Sequence, residues 1–547
     1  MKKIFVLMLA ATLVASCTKD ALETFPSTAV TPDFVYGDIE NANSALTGSL
    51  TTLGTFSWTG GYSSGLGFGI TSDYLNADAL AEDYVLSGSG SGWMWQTYSY
   101  AIKKWFDDER LICYTAWNCY YTTINSMNSL IGSADLLKQS AEGKAVLGQA
   151  YAVRAFCYHM LAQLYARAYF YYPEDLCVPV YTEPTTSETK GQPRSTNKYV
   201  YEEVIYPDLT EGIALLKEAQ EGGWVRSNKM NLDYYVANGI KARVALCMHN
   251  WADAYTAAEE ALEGYAGKEC LKGDELKSGL NNINALGSVM WGMVHTTDTY
   301  GMYASFLSQM DAGHDGYAQS ARRCCSAWLW GQMNPTDERR AWWLGNFDNS
   351  KYASTGENIK YCQVKFKFQG NSWLGDYVYM RAEEMLLTAA EAHCHAGNDS
   401  AAKVHLLKLM ENRDAAYTCD LTGNLLNGVA VDGGQANNGL TLGSDGGSVN
   451  PSSLLEEILV QRRIELWGEF GRIFDIKRLG QGFKRAAVSS EDNPEWPAAA
   501  LISNSDTQSP NTFAWVLLLP QVELDGNPAV ADQQNPTTDH PESGTEE

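Results

Sequence analysis

Several absences narrow the chemistry before any residue is placed. The twelve cysteines contain no Cys-x-x-Cys spacing, which removes a cysteine zinc site of the usual kind. No HExxH or P-loop string occurs, so the zinc-protease and nucleotide-triphosphate readings have no motif to stand on. Histidines number only eight. Basic residues are outnumbered, 40 Lys and Arg against 65 Asp and Glu, for a formal charge of -25. So acidic a surface repels phosphate backbones and excludes nucleic acid as a partner. Long apolar runs are missing too: after Cys17 polar residues interrupt every stretch before it reaches the roughly 20 residues of a bilayer span.

The exception is the start. In MKKIFVLMLAATLVASC, Lys2 and Lys3 precede a run from Ile4 to Ala15 that is apolar except for Thr12. The run is too short to cross a membrane and reads as a secretory signal over 1–16. Val14-Ala15-Ser16 then places small residues directly before Cys17, which resembles a bacterial lipobox. In that pattern the cysteine thiol is diacylated and becomes the first mature residue, and several acyl chains give firm anchoring. Loss of Lys2 and Lys3 takes the formal charge from -25 to -27. Residues 17–32 then form a polar tether, followed by one large domain over 33–547.

That domain alternates two textures. Helical spacing of apolar residues covers about 38–53, 111–265, 377–416 and 452–480. Pro207 falls inside one helical pattern and should kink it, since it lacks the amide hydrogen. In WADAYTAAEEALEGY, Ala254, Ala258 and Ala261 recur at four and three. Small residues so spaced let helices approach closely, as in tetratricopeptide-type pairs. Gly397 predicts a helix stop, with Asn398, Asp399 or Ser400 capping the next. Between the helices lie irregular inserts at about 54–99, 266–376 and 423–450, dense in glycine or aromatics. Within them Lys360–Phe368 alternates like a strand, and the tail after Pro520 reads as irregular. The fold class is therefore mainly α, a helical-repeat scaffold carrying long loops and a few short strands. Most cysteines, among them Cys113, Cys157, Cys247 and Cys394, read as small buried hydrophobes; the Cys324-Cys325 pair has no assigned role.

The aromatics of the inserts are the strongest binding signal. Sugar rings stack their C–H faces on Trp and Tyr, while Asp, Asn and Arg take the hydroxyls. Trp93 and Trp95, and likewise Trp328 and Trp330, lie two apart, and in extended backbone each pair faces one side. Trp291 and Tyr300 belong to the same set. The charges of the last strong helix (Glu465, Glu469 and Arg472 on one face, with Arg463, Asp475 and Arg478) read as an ion-pair network, as do Arg381, Glu383 and Glu384. Glu391 and His395 share a face but lack further ligands, so no metal or cofactor is expected.

Two stretches carry a resemblance. RRIELWGEFGRIFDIKRLG (462–480) and YVYMRAEEMLLTAAEAHCHAG (377–397) are similar to signatures of the SusD/RagB family. Supporting matches are Cys17, Leu22 and Pro26; Asp73 in ITSDYL; Trp117, Asn125 and Asn128; Arg154; Arg194; and LLPQVELDGNPAVADQQNP. Gln461 departs from the family's usual acidic residue, and LMENRDAA (409–416) is altered. The resemblance implies a SusD-like fold of four tetratricopeptide-like pairs with loops as the ligand face. It implies a non-enzymatic, lipid-anchored protein at the outer membrane of a Bacteroidetes-type bacterium, exposed on the cell surface. Its partners would be an oligosaccharide ligand, a TonB-dependent SusC-like transporter, and membrane lipid through Cys17. Asp73, Trp93, Trp95, Trp291, Tyr300, Trp328 and Trp330 are the ligand-contact candidates on this reading. A peptide or glycoprotein ligand is the alternative, and a glycan-degrading enzyme on a helical scaffold a further one.

Overall fold

A computed structural model describes residues 37–55, 68–86, 94–98, 111–299, 305–313, 316–344, 360–370, 373–427, 429–430, 439–444, 449–485 and 512–537. The signal, Cys17 and the tether lie outside the described residues. Helices carry the architecture. After α1 (Ile39–Thr55) and α2 (Ile70–Leu80) come α3 (Leu111–Ile131) and α4 (Ala141–Tyr165), then α5 (Tyr206–Glu221), α6 (Tyr234–Cys247) and α7 (Trp251–Glu263). Each of α3 to α7 packs on the next as a run of antiparallel neighbours. The run continues from α7 to α9 (Ala382–His395), which pairs with α10 (Asp399–Met410) and supports α11 (Leu454–Glu465). Between α7 and α9 lies α8 (Ala327–Gly331), and α12 (Arg472–Arg478) and α13 (Gln521–Gly526) follow α11, with a few single helical turns besides.

Side chains explain why the run is tight. Ala254, Ala258 and Ala261 are wholly buried, as their spacing predicts. Where α4 crosses α5, Gly148 and Gly212 face each other, and a Cβ on either would come within 2.9 Å of the other's carbonyl oxygen. Only glycine permits that approach. Gly397, at φ 76°, ends α9 and Asn398 caps α10, accepting from the Ala401 amide at 3.2 Å. Pro207 does not break its helix. Val200–Ile205 widens into a π turn, in which the Tyr206 amide donates to the Tyr201 carbonyl, five residues back, and the proline falls in the first turn of α5. The wide turn absorbs the missing donor.

The strands are short. β1 (Tyr84–Leu86), β5 (Arg323–Cys325), β7 (Cys362–Gln363) and β6 (Trp343–Leu344) form one sheet in that order, antiparallel throughout. β2 (Leu176–Pro179) pairs with β3 (Arg194–Thr196), and β4 (Val289–Met293) with β8 (Tyr377–Arg381). The alternation over Lys360–Phe368 yields only the two residues of β7. Lys365 leaves the strand because its ammonium is drawn inward, donating to the carbonyls of Glu465 and Trp467 at 2.8 and 3.0 Å. Ten of the eleven described cysteines are buried, Cys419 being half-buried, and none is in a disulfide. Cys324 faces Cys362 across the sheet.

The tail is more ordered than its composition predicts. α13 forms within it, and 512–537 lies back over the early helices. Leu517 N donates to the Leu164 carbonyl at 2.8 Å, Asn535 Nδ2 to that of Tyr165 at 2.9 Å, and Arg194 Nη1 to that of Gln533 at 2.6 Å. The Arg194 match therefore marks a structural clasp.

Candidate functional site

Helix α3 presents Tyr114, Trp117, Asn118, Tyr121, Asn125 and Asn128 along one side, at steps of three, one, three, four and three, as one helical face requires. With Tyr181, Thr185, Thr186 and Thr189 of the following connector and Val522 and Glu523 of α13, they line a cleft of about 320 Å³. That volume is at the lower end of small-ligand pockets. Aromatic rings make its floor: the Trp117 and Tyr121 centroids are 4.8 Å apart, and Tyr165 meets Trp117 edge-on at 5.0 Å.

The walls are fixed by hydrogen bonds. Tyr121 donates to the Pro179 carbonyl at 2.6 Å. Asn125 Oδ1 accepts from the Thr185 amide at 2.7 Å and its hydroxyl at 3.0 Å. Asn128 Nδ2 donates to the Tyr181 and Glu183 carbonyls, each at 3.0 Å. Behind it, Arg154 Nη1 donates to Asn128 Oδ1 at 2.8 Å and pairs with Asp208 at 2.7 Å. The family matches Asn125, Asn128 and Arg154 thus hold the connector against α3. Asn118 and Tyr114 share a 3.3 Å bond at the partly exposed edge. Rigid rings bordered by amides and hydroxyls can stack on apolar faces and hydrogen-bond to hydroxyls.

The sequence candidates do not converge on this cleft. Trp291 lies in β4 with 1 % exposure, its indole N–H donating to the Met230 carbonyl at 3.1 Å, and is a core residue. Asp73 sits in the first turn of α2 and accepts from the Tyr120 hydroxyl at 2.6 Å. Burial pushes its carboxyl up to about 7 against that bond. The cavity beside it holds about 20 Å³, room for a single water and none for a sugar.

Trp328 and Trp330 are not in extended backbone. Ser326 accepts from the Leu329 amide at 3.2 Å and starts the single turn of α8, so residues two apart point in different directions. Trp328 meets the Arg463 guanidinium at 4.8 Å and packs on Gly443. Trp330, half-buried, has the Arg340 guanidinium 3.6 Å over its ring and Tyr361 at 5.0 Å. Trp95 begins a helical turn, Trp95–Tyr98, with its side chain outside the description; Trp93 and Tyr300 lie outside the described residues.

The charged helices form the expected network, and it is sealed. Glu465 receives Arg381, Arg413 and Arg339 at 3.0, 2.9 and 3.3 Å, while Glu469 pairs with Arg381 at 2.7 Å and Lys365 at 2.5 Å. Burial alone would raise the Glu465 carboxyl, but Arg413, Arg381 and Arg339 hold it well below the usual range. Lys365 is lowered to about 8 by burial despite Glu469. Asp475 joins Arg462 and Arg478, and Glu391 joins Arg478. All these groups are buried, so they hold helices together and meet no substrate. Gln461 fits the same pattern, its amide oxygen accepting from Arg339 at 2.5 Å.

Among the described residues no helix is long and apolar enough to cross a membrane. Residues 186–537 match the SusD family, and residues 73–231 match a SusD-like family described as starch-binding and associating with the outer membrane. No curated protein matches significantly. Solved structures do. A SusD-like carbohydrate binding protein from Bacteroides vulgatus is 23% identical, with TM-score 0.70 over 93% of this chain and 99% of that one. A SusD superfamily protein from Bacteroides thetaiotaomicron is 19% identical, with TM-score 0.68 over 91% and 100%. Surface glycan-binding protein A from Bacteroides fluxus is 15% identical, with TM-score 0.61 over 91% and 99%. At these identities the structures share the fold, and the family match spans well over half of the sequence: the chain belongs to the SusD family.

Proposed function

We propose that this protein is a lipid-anchored surface receptor that binds a glycan and passes it to a TonB-dependent transporter without transforming it. The observation that carries the reading is the α3 cleft, with aromatic rings as floor and amides and hydroxyls as rim. Family membership and structural neighbours named for carbohydrate or glycan binding support it. Trp330 is a second proposed contact for a longer chain, and Trp93, Trp95 and Tyr300 are proposed as contacts on their sequence pattern alone. Cys17 supplies the anchor, and the polar 17–32 stretch lets the domain move while tethered.

A glycan-array screen followed by calorimetry tests the binding claim. Tyr114→Ala with Asn118→Ala should weaken the selected oligosaccharide at least about tenfold, the cost of roughly 1.4 kcal/mol, with an unchanged melting midpoint. Unchanged affinity in that double variant removes the cleft from the reading. Product release during incubation with the same glycan would contradict the non-enzymatic claim. Cys17→Ala should release the protein from membranes and depress uptake by cells.

A further inference from the structure

Three side chains from three helices converge on the outer side of the repeat scaffold, away from the α3 cleft. Glu259 is in α7, His393 near the end of α9, and His405 in α10. Glu259 Oε1 lies 2.8 Å from His393 Nε2 and 3.0 Å from His405 Nε2, and the three ligand atoms lie within 4.8 Å of one another. The helices impose this meeting: α7 packs on α9, and Gly397 folds α10 back along α9. Tyr255, one turn before Glu259, stacks on His393 at 4.1 Å and 13°, and the two imidazoles lie parallel at 5.6 Å and 8°. That stack aims both Nε2 atoms at the same carboxylate.

We propose that Glu259, His393 and His405 form a binding site for a divalent transition-metal ion, with zinc the best fit. Two imidazoles and one carboxylate are the donor set of open zinc sites, with water in the fourth position. Magnesium and calcium prefer shells of oxygen. Zinc bonds of about 2.0–2.1 Å in tetrahedral array separate donor atoms by about 3.3 Å, a few tenths more than the two spacings from Glu259, while the two imidazole nitrogens lie within 4.8 Å of each other. Glu259 can supply that movement, because its side chain is 44% exposed. The two histidines are 9% and 15% exposed, so the ion would have an entry path and a firm base. A bound ion would tie α7, α9 and α10 together at one point.

The test uses the full mature chain without a histidine tag, stripped with a chelator and titrated with zinc, then with magnesium and calcium. One zinc per chain should bind saturably and raise the melting midpoint, with no such response to the other two ions. His405→Gln, on a partly exposed helix face, should fold normally by circular dichroism and lose saturable zinc binding, as should Glu259→Gln to a lesser degree. Anomalous scattering at the zinc edge should place the ion between the three side chains. Absence of saturable zinc binding, equal binding by His405→Gln, or an equal response to magnesium overturns the proposal. Glycan affinity should be unchanged in every variant, which separates this site from the cleft.

Discussion

The junction of α9 with α11 and the loop-borne sheet around α8 solve the same problem in opposite ways. At the junction, charges are sunk completely and satisfied by one another: Glu465 alone serves three arginines. Around α8 the polar groups are indoles, and among the described residues the buried N–H groups of Trp328 and Trp330 meet no acceptor. A buried charge network is unforgiving, since losing one member leaves the others uncompensated. Stacked indoles and guanidiniums lose only contact area and a cation–π term. The scaffold is thus where a single substitution should act most strongly on folding, and the half-buried indoles around α8 are where the loss should be smaller.

The sharpest way to break that contrast is Glu465→Ala. It strands Arg381, Arg413 and Arg339, and the expected loss is about 3–5 kcal/mol or more, read by chemical denaturation. A mild effect would mean that the junction tolerates unpaired charge. Next comes the separation of the two α8 tryptophans. Trp328→Ala and Trp330→Ala, both half-buried, should each cost roughly 2–3 kcal/mol, less than a fully buried tryptophan, and on the proposed reading only Trp330→Ala should also weaken glycan binding. Equal effects on binding would restore the one-sided pair expected from spacing.

The third prediction concerns pH. Glu82, held down to about 2 by Arg472 and Arg463 against burial, contributes stability that is full above its ordinary 4.5 and lost as pH falls toward 2. Asp73 runs the other way. Its folded value of about 7 exceeds 3.8, so its contribution is present below pH 3.8 and lost as pH rises through 7. Asp73→Asn should therefore gain on the order of 1 kcal/mol at pH 8 and little at pH 4, by thermal melts at both. The smallest effect belongs to the surface: breaking the exposed Lys144–Glu218 pair, at 2.7 Å, with Lys144→Ala should leave the melting midpoint unchanged.

The sequence was most readable where periodicity and local chemistry decide structure. Helix spans, the alanine spacing of α7, the Gly397 stop and the ionic character of α11 all follow from short-range pattern. Contacts set by distant partners were not readable. Arg413, in a segment that reads as altered, proves central because it reaches Glu465 and Glu383. The expected one-sided Trp328/Trp330 pair failed because Ser326 caps a helical turn. Trp117, Asn125 and Asn128 could be noticed as family matches, but nothing local shows that Tyr181 and Val522 close a cleft over them. His393 and His405 are twelve residues apart with Glu259 in another hairpin, so only the packed scaffold brings them together.

The strap formed by 512–537 sets a timetable for this molecule. Arg194 waits for Gln533, Tyr165 for Asn535 and Leu164 for Leu517, contacts spanning most of the chain. Such late closure slows folding, because the loop entropy is lost before the contact repays it. During synthesis the first hairpins stay unlatched until nearly the whole polypeptide has emerged. If the signal over 1–16 sends the chain through a translocation channel before it folds, as proposed, that delay would keep the early helices from locking during passage.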